Sequence, residues 1–481
     1  MSDGQAPLIV WFRDELRLLD LPALAAAASS DRPLVCCYIH DIESAGLRAP
    51  GGASRWWLHH SLVALREQLQ ELGGDLIVQQ GKSVDVLLKI AAQTDAAGIV
   101  CTRAYEPAQI ALEVELARCA AEQGLECRRF PGQLLFEPEA VVTGQGTPFR
   151  VFTPFWKACR RLVEPAFPVP APTALKFYPG DCNTQSLSSL QLLPHAPDWA
   201  QGWERLWQPG TAGAQQRLGE FLRETVENYA AGRDFPGLGA TSRLSAHLHF
   251  GEISPRSVWH AAQQQARERP ELVPEIDKFL AELGWREFNR HLLFHYPQII
   301  SQPFSPRFAG FPWQSDPQAL LAWQRGQTGY PIVDAGMREL WQTGVMHNRV
   351  RMIVASFLSK HLLIDWRDGE AWFWDTLVDA DLANNVGGWQ WVAGSGADAS
   401  PYFRVFNPTL QSAKFDKAGD YVRRWVPELA ELPAKYLHEP AEAPPEVLEA
   451  AGVELGTNYP KPLVEHRFAR QRALDAYAAL S

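Results

Sequence analysis

Four short apolar runs, PLIVWF, PLVCCYI, DLIVQQ and AGIVCT, punctuate residues 1–131, and between them lie alanine- and leucine-rich stretches with apolar positions at helical spacing. One of these, SRWWLHHSLVALREQLQELGG, stops at a double glycine. Runs that are apolar on both faces belong in a parallel sheet, because each parallel connection needs a crossover helix and the helices then cover both sides. The pattern therefore predicts a doubly wound α/β domain over 1–131. Residues 132–211 lose this order: PAFPVPAPTALKFYPGDCNTQSLSSLQ is rich in proline and serine without sustained periodicity and reads as an inter-domain linker. From 212 to 481 the β-rich runs largely vanish. AQQRLGEFLRETVENYAAG, PEIDKFLAELGWREFNRHLLFHY and DAGMRELWQTGVMHNRVRMIVASFLSKHLL carry helical spacing and helical lengths, which predicts a large all-α domain.

With 46% hydrophobic and 21% charged residues, the 481-residue chain has enough apolar mass for two or three cores. No apolar run approaches the roughly 20 residues of a membrane span, and the opening MSDGQAPLIVWFRDELR has no basic segment followed by an apolar one. The expected location is the cytoplasm and the expected state a monomer. The seven cysteines, Cys36, Cys37, Cys101, Cys119, Cys127, Cys159 and Cys182, show no C-x-x-C spacing and read as reduced thiols. None lies beyond Cys182, so the second half offers no thiolate set for an iron–sulfur cluster. The formal charge of −10, from 45 Lys+Arg against 55 Asp+Glu, argues mildly against a polyanionic partner, but the clustering of the arginines matters more than the total.

A doubly wound domain invites a dinucleotide, yet WFRDELRLLD stands after the first strand where G-x-G-x-x-G is required, and no P-loop occurs. A nucleotide cofactor would then fall to the helical domain. There, GLGATSRLSAHLHFGEISP places Thr241, Ser242 and Ser245 with Arg243 at a predicted helix start, a set that suits a pyrophosphate and equally makes an ordinary N-cap turn. ELGWREFNRHLLFH puts Glu282, Arg286 and Asn289 near one helical face with Trp285 beside them, either a base-stacking platform or an amphipathic helix with a half-buried tryptophan. His291 and His295 stand at i, i+4 without an acid at metalloprotease spacing, so no metal site is assigned. Arg349 and Arg351 alternate with apolar residues; an arginine so placed needs a carboxylate, and an Arg351–Asp379 pair is predicted, whether structural or site-forming. Just after it, NNVGGWQWVAGSG, from Asn384 to Gly396, crowds three amides, two tryptophans and four glycines with no acid, base or thiol. A buried helix corner has that composition too. Most of the 18 tryptophans must fill cores.

Together, WFRDELRLLD, GATSRLSAHLHFGEISPR, WREFNRHLLFHYP, GQTGYPIVDAGMREL, MHNRVRMIVASFLSKHLLIDWR, DADLANNVGGWQWVAGSGADASPYFRVFNP and the surroundings of Lys414 resemble the DNA photolyase/cryptochrome family. The resemblance runs in order across almost the whole chain and is closest to bacterial cyclobutane pyrimidine dimer photolyases. GGASRWWLHHSL is similar to the class III branch nearest plant cryptochromes. The resemblance implies an FAD in the helical domain, its diphosphate at Thr241, Ser242, Arg243, Leu244 and Ser245 with Tyr229 nearby. Asp379, Ala380 and Asp381 would border ribose and flavin, with Arg351 paired to Asp379. Asn385 would face the central-ring nitrogen, and the glycines would let the backbone approach the ring. Trp389, Trp366 and Trp313 match the family's electron-transfer chain from flavin to surface. In the family's reaction, photoexcited FADH⁻ gives an electron to a flipped-out dimer, the cyclobutane ring splits, and the electron returns.

On the DNA side, the resemblance implies recognition of UV-damaged DNA by structure and not by sequence, since a poorly stacked dimer is easily extruded. Trp285 and Trp391 would form an aromatic wall, Glu282 would bond to the thymine edges, and Asn348 and Met352 would contact the lesion. Arg233, Arg286, Arg349 and Lys414 would track the phosphates, a local basic face on an acidic body. Relatives that repair the (6-4) photoproduct carry histidines where Asn348 and Met352 stand, which favours the cyclobutane substrate. The rival reading is a cryptochrome, a blue-light receptor without repair, although such receptors often continue well past the point reached by RFARQRALDAYAALS. For the antenna, Ala108 and Gln109 replace the Asn-Glu pair that contacts pterin in well-known relatives. The expectation is 5,10-methenyltetrahydrofolate, with 8-hydroxy-5-deazaflavin or an empty site behind it, and Glu43 as a pterin ligand or a solvated loop acid.

Overall fold

A computed structural model describes residues 6–162, 164–399 and 403–480. It divides into two compact units, Met1–Val226 with Ser242–Pro297, and Glu227–Thr241 with Gln298–Ser481. The first unit opens with β1 (Leu8–Phe12), α1 (Pro22–Ala28), β2 (Leu34–His40), α2 (Gly52–Glu71), β3 (Ile77–Gln80), α3 (Ser83–Thr94), β4 (Gly98–Thr102), α4 (Pro107–Glu122) and β5 (Glu126–Phe130). The strands are all parallel in the order β3-β2-β1-β4-β5, the doubly wound sheet that the apolar runs predict. Every residue of β1, β2 and β4 is buried. β5 was not among the predicted runs because ECRRF is mostly polar: it is an edge strand whose charged side chains face water, which blunts an open edge. A glycine opens β4 at Gly98, where an added Cβ would lie 2.4 Å from the Glu126 carbonyl oxygen.

Where a dinucleotide loop would follow β1, charged side chains turn inward. Glu15 and Arg17 are 1% exposed and Asp20 is fully buried. Arg17 satisfies its guanidinium on backbone carbonyls, donating to Gly251 at 2.7 Å, Asp20 at 2.9 Å and Gly132 at 3.0 Å. Asp20 accepts from Arg256 at 3.0 Å. Each buried charge thus has its partners, the condition for burying it at all.

Residues 132–211 are more ordered than a linker. They contain a helix, Phe152–Cys159, and the chain then runs back along the sheet, with Leu34 N donating to Lys176 O at 2.7 Å and Tyr178 N to Leu34 O at 3.0 Å. Compactness also divides the chain away from the predicted boundary at 211: the segment 242–297 joins the α/β unit. One tie between that segment and the 132–211 region is polar. Glu287, inside the long helix Val273–His295, accepts from the backbone N–H groups of Leu135 at 2.8 Å and Phe136 at 3.2 Å.

The second unit is helical, including Pro331–Thr343, Asn348–Ser356, Trp366–Thr376, Leu382–Ala393, Pro408–Phe415 and His466–Ala478. The helical run read from Asp334 onward breaks at Gly344, whose φ of +71° ends the first helix in a left-handed cap that a side chain would strain. Asp365, Asp381 and Asn407 cap three of these helices with side-chain oxygens. Among the described residues no helix is long and apolar enough to cross a membrane.

Candidate functional site

Of the residues singled out for flavin, Arg351, Asp379, Ala380, Asp381 and Asn385 lie in the second unit, by the helices Trp366–Thr376 and Leu382–Ala393. Asp379, Ala380, Asp381 and Asn385 are all buried there. The predicted pair forms: Arg351 donates to the Asp379 carboxylate at 2.9 and 3.1 Å and through Nε to Met346 O at 2.7 Å. Asp381 caps the second helix, accepting from Asn384 N and Asn384 Nδ2, each at 2.9 Å. Asn385 spends its amide nitrogen on one neighbour, donating to Glu370 O at 3.0 Å and Glu370 Oε1 at 2.8 Å. No described residue donates to Asn385 Oδ1, so the oriented amide has an acceptor to spare.

The three tryptophans read as a chain lie in this unit, two of them buried and the third half-buried. Trp389 is 2% exposed, edge-on to Phe373 at 5.0 Å and to Trp323 at 6.1 Å. Its ring requires Gly369: a Cβ there would sit 2.1 Å from Trp389 Cη2. Trp366, 1% exposed, begins its helix with the Arg367 guanidinium 4.9 Å from its ring centre. Trp313 is half-buried, packed on Phe311 at 4.3 Å.

Thr241 belongs to the second unit and Ser242, Arg243, Leu244 and Ser245 to the first. The N-cap alternative is not realised: no side chain caps the short helix Ser245–His249. Instead Arg243 adopts a left-handed φ of +54°, a conformation that costs a non-glycine residue about 1 kcal/mol or more, with its guanidinium 5.5 Å from the Trp207 ring centre. Leu244 anchors the turn at 2% exposure. Below it, the fully buried Glu252 carboxylate accepts from Trp57 Nε1 at 3.0 Å, Gly210 N at 2.6 Å, Ser61 Oγ and His247 Nδ1. Tyr229, in the second unit, is buried with Arg233 5.7 Å from its ring centre.

The set read as lesion-facing is divided likewise. In the first unit, Glu282 lies 3.8 Å from Lys278 and Trp285 is half-buried on the same helix. Arg286, read as a phosphate contact, also has partners within the protein. Only 11% of its side chain is exposed, and its guanidinium donates to Gln133 O at 2.9 Å and Glu287 Oε1 at 3.2 Å, so it holds the helix to the 133–136 loop. In the second unit, exposed Asn348 starts a helix capped by His347, whose Nδ1 accepts from Arg349 N at 3.2 Å. Burial pushes the His347 imidazole down to about 4, which keeps that acceptor neutral. Arg349 pairs with Asp234 at 2.9 Å, stacks over Phe415 at 4.4 Å and reaches Met352 Sδ at 3.9 Å. Exposed Lys414 lies 5.0 Å from the same Phe415 ring centre, and Trp391 donates to Asp398 O at 3.0 Å. For the antenna, Glu43 is exposed and its backbone N–H is turned to Asp41 at 3.1 Å, while Gln109 donates to Asp14 at 3.0 Å.

Glu287 yields a pH prediction. Burial pushes its carboxyl up from 4.5 to about 7, so between those values the folded state holds a proton that the unfolded chain has released. The contribution of Glu287 to stability therefore falls as pH rises from 4.5 to 7, by about 3 kcal/mol, and is flat on either side. Glu287→Gln keeps an acceptor for Leu135 and Phe136 and should remove that contribution, so the stability of the parent relative to the variant should fall by this amount between pH 4.5 and 8 in denaturation midpoints.

Comparison with known proteins agrees with this geometry. The family described as the FAD binding domain of DNA photolyase matches residues 279–479, and the family described as DNA photolyase matches 8–173. A deoxyribodipyrimidine photo-lyase of Agrobacterium fabrum is 51% identical over 483 residues, covering 100% of this chain and 99% of the relative. The chain belongs to the DNA photolyase/cryptochrome family. A crystal structure of a bacterial class III photolyase from Agrobacterium tumefaciens superposes with a TM-score of 0.96 at 50% identity, over 100% of this chain and 98% of that one. Cryptochrome-2 of Arabidopsis thaliana is more distant, at 40% identity over 96% of this chain and 77% of its own length.

The residues present fit the flavin that defines the family. Asn385 Oδ1 is free to accept from a reduced ring's N–H, and the glycine at 388 has open space around it. Four residues of this photolyase-family site escaped the sequence reading: Glu370 orients Asn385, His347 caps the Asn348 helix, Glu252 holds His247 in the helix that follows the Ser242–Ser245 turn, and Phe152 lies against Trp285. Each acts on a residue far from it along the chain or through a burial that composition does not reveal.

Proposed function

We infer that the chain uses blue light to repair cyclobutane pyrimidine dimers in DNA. The observation that carries this is the 51% identity to a deoxyribodipyrimidine photo-lyase along the full length. When bound, FAD in its reduced form FADH⁻ supplies the photoexcited electron. The chain's own residues bind, orient and exclude water. Thr241, Ser242, Arg243, Leu244 and Ser245 hold the diphosphate with Tyr229, and the Arg351–Asp379 pair, Ala380 and Asp381 line the ribose and ring, where Asn385 accepts a hydrogen bond through Oδ1. Trp389, Trp366 and Trp313 pass electrons inward from the surface. Trp285 and Trp391 offer flat apolar faces to the flipped bases, Glu282 accepts from their imide edges, and Asn348 and Met352 contact the lesion. Arg233, Arg286, Arg349 and Lys414 carry the phosphates, Arg286 while also holding its helix to the 133–136 loop. The domain assignment that goes with this reading is an antenna domain at 1–131 and an FAD- and DNA-binding domain at 212–481, acting as a cytoplasmic monomer.

Trp285→Ala should weaken binding to dimer-containing DNA by about 10- to 100-fold, the equivalent of stacking one base at ~1–3 kcal/mol. Filter binding at fixed salt measures it, and equal affinity for parent and variant would remove the stacking role. A second reading, a blue-light receptor without repair, is favoured by the 40% identity to Cryptochrome-2. The resemblance of the GGASRWWLHHSL segment to the class III branch supports 5,10-methenyltetrahydrofolate as the antenna over 8-hydroxy-5-deazaflavin, with exposed Glu43 a poor candidate ligand.

A further inference from the structure

Trp285 has one ring face already covered. Phe152, the first residue of the helix Phe152–Cys159, lies parallel to it with ring centroids 3.8 Å apart and planes 8° apart. Trp156, one turn along, is parallel to Phe152 at 6.4 Å and 11°. It is in turn pressed against the Val273–His295 helix at Gly284, where an added Cβ would lie 2.6 Å from the Trp156 ring. Phe288 closes the arrangement by meeting Trp285 edge-on at 5.8 Å and 76°. All of these residues lie in the first unit.

Two consequences follow from the packing. The indole cannot turn about its side-chain bonds without breaking the parallel contact, so a base that stacks on it does not have to immobilise a mobile ring. A base can also approach from one side only, the face opposite Phe152, which fixes its orientation relative to Glu282 one turn earlier on the same helix. Aromatic pairs in offset-parallel contact contribute beyond their buried area, so the arrangement is held by more than shape.

We propose that Phe152 is a positioning residue for lesion recognition, fixing the plane of Trp285 and leaving one face to take the damaged base. The inference rests on the reading of Trp285 as a stacking platform. Phe152→Leu keeps apolar bulk and loses the plane, and should raise Kd and KM for a dimer-containing duplex about five- to tenfold, the scale of freezing one side chain, with kcat unchanged. Affinity for undamaged duplex should not move, because phosphate contacts do not involve this ring. Phe152→Tyr should restore parental values.

Phe155, on the same helix, 1% exposed and 5.2 Å from Phe288, provides the control. Phe155→Leu should lower the melting temperature without changing Kd for damaged DNA. The proposal is overturned if Phe155→Leu weakens damage binding as much as Phe152→Leu does, or if Phe152→Leu binds like the parent while Trp285→Ala does not. If neither Phe152→Leu nor Trp285→Ala changes damage binding, the platform reading of Trp285 fails, and the proposal falls with it.

Discussion

Trp389→Phe is expected to abolish light-driven reduction of oxidised FAD in the purified protein while leaving dimer repair intact once the flavin has been reduced chemically. Phenylalanine keeps an aromatic ring against Phe373 and Trp323, so the core between the helices Trp366–Thr376 and Leu382–Ala393 is retained, but its ring is far harder to oxidise than indole. The Trp389 Nε1–H has no acceptor among the described residues, so no hydrogen bond is lost, and the packing cost is the space the smaller ring leaves against Gly369. Electron delivery from Trp366 and Trp313 then stops at its innermost member. Absorbance of the oxidised flavin under illumination with an external reductant measures the effect; a drop in photoreduction of at least about 100-fold is expected, the consequence of raising a single hop by ~3 kcal/mol or more. Photoreduction at the parental rate would remove Trp389 from the chain, and loss of repair by chemically reduced enzyme would give it a different role.

Arg351→Ala carries the largest expected cost in stability. It leaves the Asp379 carboxylate, only 4% exposed, without its cation, whereas the guanidinium it removes is 26% exposed. Breaking a buried pair from the side of its more exposed member falls at the lower end of the usual ~3–5 kcal/mol. Asp379→Asn should cost less, about 1 kcal/mol, because the orphaned guanidinium can still reach water and its Nε still donates to Met346 O. The two variants should therefore separate in denaturant midpoints, with Arg351→Ala the weaker by ~2 kcal/mol, and both should release FAD more readily than the parent. Equal midpoints would mean that the pair is not held as a buried unit.

The sheet was legible in the sequence where burial was complete, because residues covered on both faces have no polar period to hide behind; β1, β2 and β4 are such strands. β5 was not, since an edge strand that protects itself with charge looks like a loop. The Arg351–Asp379 pair was legible for an energetic reason: an arginine in an apolar helix demands a carboxylate, and the neighbouring candidates were few. The partners of Arg286 within the protein were not legible. A cation beside a stacking tryptophan suggests phosphate, but nothing in the sequence says that Gln133 O lies 2.9 Å from it. Glu370 and Phe152 were invisible for a different reason, since each earns its place only through the partner it orients, Asn385 or Trp285, and those contacts exist only once the helices have packed.

The measurement closest to the central claim is repair of a thymine-dimer oligonucleotide by the purified, reduced protein under blue light, with a dark control and a (6-4) photoproduct oligonucleotide alongside. Light-dependent loss of the thymine dimer alone is the predicted result. Failure to repair either lesion by protein that binds FAD and photoreduces it would contradict the account, and would leave Glu282, Trp285 and Asn348 as inherited framework in a light receptor.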